Sequence, residues 1–277
     1  QVPERPYPMS FAAPQAPSPP LRLSHPPLVL GRDFLARHAG WPLLAFVLAT
    51  VLLIPLRGDL WLADQLYAWE GHRWSLQQGF VTQHLIHVMG KRLSTLAWYC
   101  VALLLIASGS FPRLKAWRRP LFFLLLATAL STAAVGTLKL WTDMDCPWDL
   151  ARYGGSRPFI DLFTTRPPLL PRASCFPAGH ASAGYAWVAL YFFFLATWPR
   201  LRWLGLGVGL AVGLLFGFAQ QLRGAHFLSH DLWTLAICWA IGLLLYACIL
   251  VPRRTPATRS RAAALPGSAP LPRGEQP

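Results

Sequence analysis

The sequence predicts an all-α, polytopic membrane protein of about six transmembrane helices, with a polar, chemistry-bearing face at their extracytoplasmic ends. Three observations predict it. Of the 277 residues, 54% are hydrophobic and 13% charged, against about 25% charged in soluble domains, and the mean hydropathy is +0.38. The apolar residues gather into six runs, roughly 41–56, 94–111, 120–140, 180–198, 203–219 and 231–251. Basic and acidic residues sort to opposite ends of those runs. A water-soluble core cannot bury so much apolar chain at this length, whereas a bilayer leaves it without polar cover.

Residues 1–30 are rich in Pro, Ala and Ser and bury nothing, so they are expected to be a disordered tail, as is the basic, Pro-rich stretch 252–277. Between them, 31–251 reads as one membrane domain. Its runs hold 16–21 residues, near the ~20 that cross a hydrocarbon core of about 30 Å. The formal charge of +14 would suit nucleic acid, but the cations lie in loops between apolar runs and not on one binding element, so no nucleic-acid partner is expected. They follow membrane topology instead. Arg32, Arg37, Arg113, Lys115, Arg118, Arg119, Arg200, Arg202, Arg253 and Arg254 fall on one side, while Asp59, Asp64, Glu70, Asp143, Asp145, Asp149 and Asp161 fall on the other. Two of the basic loops are short, where the positive-inside rule is strongest. Both termini are therefore expected in the cytoplasm of a multi-pass plasma (inner) membrane protein.

Two outside segments are long. In 57–93 apolar residues recur every three or four positions, as on a helix lying along the membrane surface. The polar loop 141–179 is of the length that usually carries function. Five cysteines are present with no C-x-x-C pair. Cys100, Cys238 and Cys248 sit in apolar runs as small hydrophobes; Cys146 and Cys175 share the outside loop.

Three polar patches meet at that outside face. Lys139 closes the third run and is followed by LWTDMDCPWDLARYGG; CFPAGH at 175–180 opens the fourth; LRGAHFLSHD at 222–231 opens the sixth. Lys139 and Arg223 offer fixed positive charge for phosphate oxygens. Ala178, Gly179 and His180 begin a helix, where free backbone N–H groups and the dipole attract an anion. Two histidines from different segments can divide nucleophilic attack and leaving-group protonation. Taken singly, Lys139 reads as a snorkelling lysine, Arg223 as a helix anchor, and His84 and His87 as interfacial residues beside the surface helix. It is the ordered set at one face that points to chemistry.

These residues resemble the type 2 phosphatidic acid phosphatases, the lipid phosphate phosphatases, whose pattern is K-x6-R-P, P-S-G-H and S-R-x5-H-x3-D. The motifs cover about 120–250 and the helix layout about 40–250. The resemblance implies a helical membrane phosphatase with a covalent phosphohistidine intermediate, no cofactor and no metal, acting on a lipid phosphate in the bilayer. Undecaprenyl diphosphate, phosphatidylglycerol phosphate, phosphatidic acid and lipid A all remain open as substrates. Three departures stand out. Cys146 occupies the place of the first motif's arginine. Ala178 replaces the serine. Aligned without gaps, GAHFLSH makes His226 the nucleophile, puts His230 where an aspartate orients it, and puts Gln220 where the third motif has arginine. Arg223, one turn on, is expected to reach the phosphate in its stead. Asp231 is a second candidate for the orienting carboxylate, and a shifted register would make His230 the nucleophile. His180 protonates the leaving group. Of Arg152, Arg157 and Arg172, Arg152 is expected to replace the arginine lost at Cys146.

Convergence of the motifs in an oxidising compartment implies a Cys146–Cys175 disulfide, closing a loop that contributes about 3–4 kcal/mol on the chain-entropy model. A phosphotransferase using the same site, a thiol–disulfide oxidoreductase at these two cysteines and a non-catalytic scaffold are the competing readings. Labelled product, the missing close cysteine pair and retention of Lys139 with the histidines respectively discriminate them.

Overall fold

The computed structural model describes residues 30–162 and 164–251, so the tails expected at either end fall, but for residue 30, outside the described residues. Among the described residues seven longer helices follow one another: α1 Arg32–Leu53, α2 Gly58–Trp69, α3 Phe80–Ser110, α4 Pro112–Leu138, α5 over 179–197, α6 Pro199–Leu222 and α7 Leu228–Leu250, with short 3-10 turns at Pro147–Asp149 and Ala151–Tyr153 between α4 and α5. The described residues form no strand, only an isolated bridge between Leu150 and Arg157. Among the described residues five helices, α1, α3, α4, α6 and α7, are long and apolar enough to cross a membrane. The run expected at 180–198 does form a helix, α5, but it is not among the five. It is assembled from an α segment, a 3-10 turn at Ala186–Val188 and a second α segment, and its first turns carry Gly179, His180, Ser182 and Gly184, which dilute its hydropathy.

The helix expected from residue 94 begins at Phe80. Gln83, His87 and Lys91 recur every fourth residue there and depress the local hydropathy, although they share one face of a continuous helix. Residues Phe80–Met89 are wound as a π-helix, a rare geometry that tends to occur at functional sites. Only α2, with Asp59, Leu60 and Ala63 buried against the bundle, answers to the surface helix read from 57–93.

The core is aromatic and central. Phe123, Leu124 and Ala127 of α4 pack against Tyr191 and Phe192 of α5 and Tyr246 of α7. Helix α6 approaches its neighbours at backbone distance because Gly205, Gly209, Gly213 and Gly217 form a stripe at four-residue spacing. A Cβ at Gly209 would overlap the backbone of Val188, at Gly213 the Tyr185 ring, and at Gly217 the Asp231 carboxylate. The outward faces are leucine, isoleucine, valine and phenylalanine, among them Leu48, Leu103, Ile106, Leu214 and Phe218, all exposed. Exposed tryptophans mark both ends of the bundle, with Trp41, Trp198 and Trp203 at one and Trp61, Trp69 and Trp141 at the other, the distribution of an aromatic belt.

Candidate active site

At the end of the bundle where α3 begins and α4 stops, a cavity of about 750 Å³ opens. Gln83, His87 and Lys91 of α3 line it, together with Lys139, Gly179 and His180 at the start of α5, and Gln220, Arg223 and His226 of the α6–α7 turn. The loop 141–178 closes the remaining side with Cys146, Asp149, Arg157, Arg172 and Cys175. Lys91, Lys139, Arg157, Arg172 and Arg223 face Asp149 alone among carboxylates. Five cations against one carboxylate leave a strongly positive chamber, suited to an anion carrying more than one charge.

The turn that carries His226 follows from its sequence. Gly224 adopts φ +67°, a conformation glycine takes without a Cβ penalty. Its N–H donates to the Gln221 carbonyl at 2.9 Å, and that of Ala225 donates to the Gln220 carbonyl at 2.9 Å. This is a Schellman ending of α6, which reverses the chain and delivers His226 to the cavity wall. From α2, Asp59 reaches the other side of the turn and accepts the Ser229 N–H at 2.9 Å, capping α7 across 170 residues of sequence. Burial pushes the Asp59 carboxyl up to about 6, against the pull of the Ser229 hydrogen bonds.

His226 and His230 lie on successive turns, with their Nδ1 atoms 3.3 Å apart. One shared proton joins them, so if His226 Nδ1 carries it, His230 accepts and His226 Nε2 is left with its lone pair. His230 is wholly buried, while His226 lines the cavity. Burial, followed by the charges of His230 and Lys139, lowers the His226 pKa well below the usual imidazole range. Its ring is therefore neutral near pH 7. The backbone of Cys175 acts on both rings, which ties them to the loop.

His180, at the start of α5, lines the same cavity. Its ring stacks on His87 at 4.2 Å between centroids and leans on Phe216 at 4.9 Å, and its Nε2 is buried without a partner in the protein. Gly179 beside it is held close to Lys139, since a Cβ there would sit 3.5 Å from Nζ. Partial burial pulls the Lys139 ammonium below its ordinary pKa. The N–H of Ala178 donates to the His230 carbonyl at 3.2 Å, so the segment bearing His180 and the helix bearing His230 are joined directly. Arg223 donates from Nε to the Gln77 carbonyl at 2.7 Å and from NH1 to Gln220 Oε1 at 3.0 Å, and the Gln220 amide lies 2.9 Å from His87 Nδ1.

Two residues expected at the site face elsewhere. Arg152 makes a two-pronged ion pair with Asp64, at 2.7 and 2.6 Å, on the exposed side of the loop and does not line the cavity. Arg157 and Arg172 do. Arg157 is steered inward by its ion pair with Asp145, which also holds Arg166 at 2.6 Å. Asp231 turns into α6, where its carboxylate accepts from Gln221 at 2.6 Å beside Gly217. His230, not Asp231, is the residue in contact with His226.

Cys146 and Cys175 are joined as a disulfide with Cα atoms 5.3 Å apart. With Asp149 they are also the one group of His, Cys, Asp or Glu ligand atoms among the described residues close enough to hold a metal ion, and the disulfide occupies both sulfurs. Because the Cys175 backbone acts on both histidines, reduction is expected to loosen the histidine pair. Dithiothreitol, or the double change Cys146→Ser and Cys175→Ser, should lower turnover several-fold and lower the melting temperature. Mass spectrometry should find both thiols shielded from alkylation until reduced.

Sequence reasoning passed over Gln83 and Lys91 and read His87 as an interfacial residue, although Q-x3-H-x3-K at the mouth of a helix was a readable signal of one polar face. Asp59 had no local signal. In comparison with known proteins, residues 120–254 match the family described as the PAP2 superfamily. No curated protein and no solved structure matches the chain.

Proposed function

Starting from a chain that belongs to the PAP2 superfamily, the type 2 phosphatidic acid phosphatases, we propose that it hydrolyses a lipid phosphate or diphosphate at the extracytoplasmic face of the plasma membrane through a phosphohistidine. The observation that carries this reading is the pair of imidazoles, from two different helix ends, that line one cationic cavity. His226 presents Nε2 from a hydrogen-bonded histidine pair, and His180 presents an unpartnered Nε2.

In the proposed reaction His226 Nε2 attacks phosphorus while Nδ1 keeps its proton, shared with His230. His180, protonated as the phosphate brings its negative charge among the cavity's cations, gives a proton from Nε2 to the departing alkoxide, so the lipid leaves as an alcohol. Water, deprotonated by the now neutral His180, then displaces His226 from the phosphoryl group, and inorganic phosphate departs. Lys139, Arg223 and Arg157, with the first amides of α5 at Gly179, meet the charge spread over the phosphoryl oxygens. Arg157 replaces Arg152 in this role because it faces the cavity. His230 orients His226 where the related enzymes use an aspartate.

The membrane frame is proposed on the same footing. Six helices, α1 and α3 to α7, span the bilayer with both termini in the cytoplasm, as the loop charges indicate. Helix α3 has 31 residues, roughly 45 Å at 1.5 Å per residue, against a hydrocarbon core of about 30 Å. Its first turns, with His87, then stand at headgroup depth, where a lipid phosphate lies.

The experiment that tests the activity is release of inorganic phosphate by purified protein from a panel of lipid phosphates and diphosphates. Activity is expected to survive EDTA, since the phosphoryl charge is met by side-chain cations and backbone amides. Complete loss with chelator, restored by a divalent ion, would contradict the mechanism. The acid limb of the pH profile gives a second check. Protonated His226 cannot attack, and its pKa is depressed, so kcat/KM should hold its plateau on descending through the ordinary histidine range near pH 6.5. Titration of the attacking group at or above that value would contradict the assignment.

A further inference from the structure

We propose that His87 binds the substrate phosphate, donating a hydrogen bond from a proton fixed on Nε2, and so supplies the donor that the PAP2 motif would place at Gln220. The inference rests on reading the cavity as a phosphate site, and it follows from a chain of hydrogen bonds with only one consistent polarity. Arg223 has donors and no acceptor. Its NH1 lies 3.0 Å from the Gln220 side chain, so the atom facing it must be the amide oxygen. The Gln220 amide nitrogen is thereby turned to His87, 2.9 Å from Nδ1. An amide N–H donates, so Nδ1 must accept. A neutral imidazole accepting at Nδ1 carries its proton on Nε2. Arg223 is itself held by the Gln77 carbonyl at 2.7 Å, so the relay cannot turn over as a unit.

The fixed donor is aimed at useful space. His87 lines the cavity and its ring lies flat against His180, the residue that meets the leaving oxygen. Gln83 and His87 of the π-helical segment Phe80–Met89 line the cavity together with Lys91 just beyond it. Gln220 cannot supply a cation there. It fixes the tautomer of an imidazole that reaches the same chamber from α3.

Inorganic phosphate, the expected product, is the probe, and its binding to the full-length protein in nanodiscs needs no turnover. His87→Phe keeps the stack on His180 and removes the donor, so its dissociation constant should rise about ten- to a hundred-fold, the range for one hydrogen bond to a charged acceptor. His87→Gln returns an N–H near the Nε2 position and should stay within a few-fold of wild type. Wild-type affinity in His87→Phe, or equal loss in both variants, would overturn the proposal. Should His87→Phe fail to fold, ¹⁵N NMR of the wild-type ring decides. An unprotonated Nδ1 with a protonated Nε2 supports it, and the reverse overturns it. Failure of the phosphatase reading is distinguishable, since it appears as phosphate binding without phosphate release from any lipid.

Discussion

His226→Gln is expected to lower kcat/KM for lipid phosphate by roughly 10⁴-fold or more, the scale on which covalent catalysis fails when its nucleophile is removed. The fold should survive. The position lies in a turn whose geometry is set by the Schellman bonds of Gly224 and Ala225 and by the Asp59 cap on Ser229, none of which uses the imidazole. Circular dichroism and thermal melting should therefore match the wild type while phosphate release disappears. The cationic wall is untouched by the change, so inorganic phosphate should still bind. Loss of turnover together with loss of phosphate binding would instead mark His226 as part of the chamber's architecture.

His180→Gln is expected to cost about 10²–10⁴-fold, the range for one general acid, but only on substrates whose leaving group needs a proton. An alkyl alcohol of a glycerolipid is such a group; p-nitrophenolate is not. The ratio of the two rates, wild type against variant, is the measurement. A uniform loss on both would reassign His180 from proton donor to phosphate ligand. The assignment rests on its buried, unpartnered Nε2 and on the stacking against His87 and Phe216 that fixes the ring. Its Nε2 is left without a partner until a substrate arrives.

Much of this arrangement could be read from the sequence because it is carried by local patterns. Apolar runs near the length of a bilayer located the long helices, and the three polar patches located the ends that converge. The gapless reading of GAHFLSH put His230 beside His226, where the structure has it. Other features depend on contacts far apart in sequence. Asp59 caps α7 across 170 residues, and Gln220 meets His87 across 133; neither leaves a periodic trace. Hydropathy averages over a helix face, so the polar stripe of Gln83, His87 and Lys91 concealed the first turns of α3 and displaced its expected start to 94. The choice among loop arginines turned on ion pairs. Asp64 draws Arg152 outward, and Asp145 presents Arg157 inward. Proximity to the first motif carried no information about either. Position next to His230 likewise made Asp231 a candidate, but helical geometry turns adjacent residues to different faces, and its partner is Gln221.

The central claim is that a phosphoryl group passes through His226. The direct measurement is a rapid quench of purified protein with lipid phosphate labelled in its phosphoryl group, stopped in alkali, which preserves phosphohistidine, followed by proteolysis and mapping of the label. The account requires the label on His226, bound through Nε2, and its absence from His226→Gln. Label on His230, or on any carboxylate or cysteine, would contradict it.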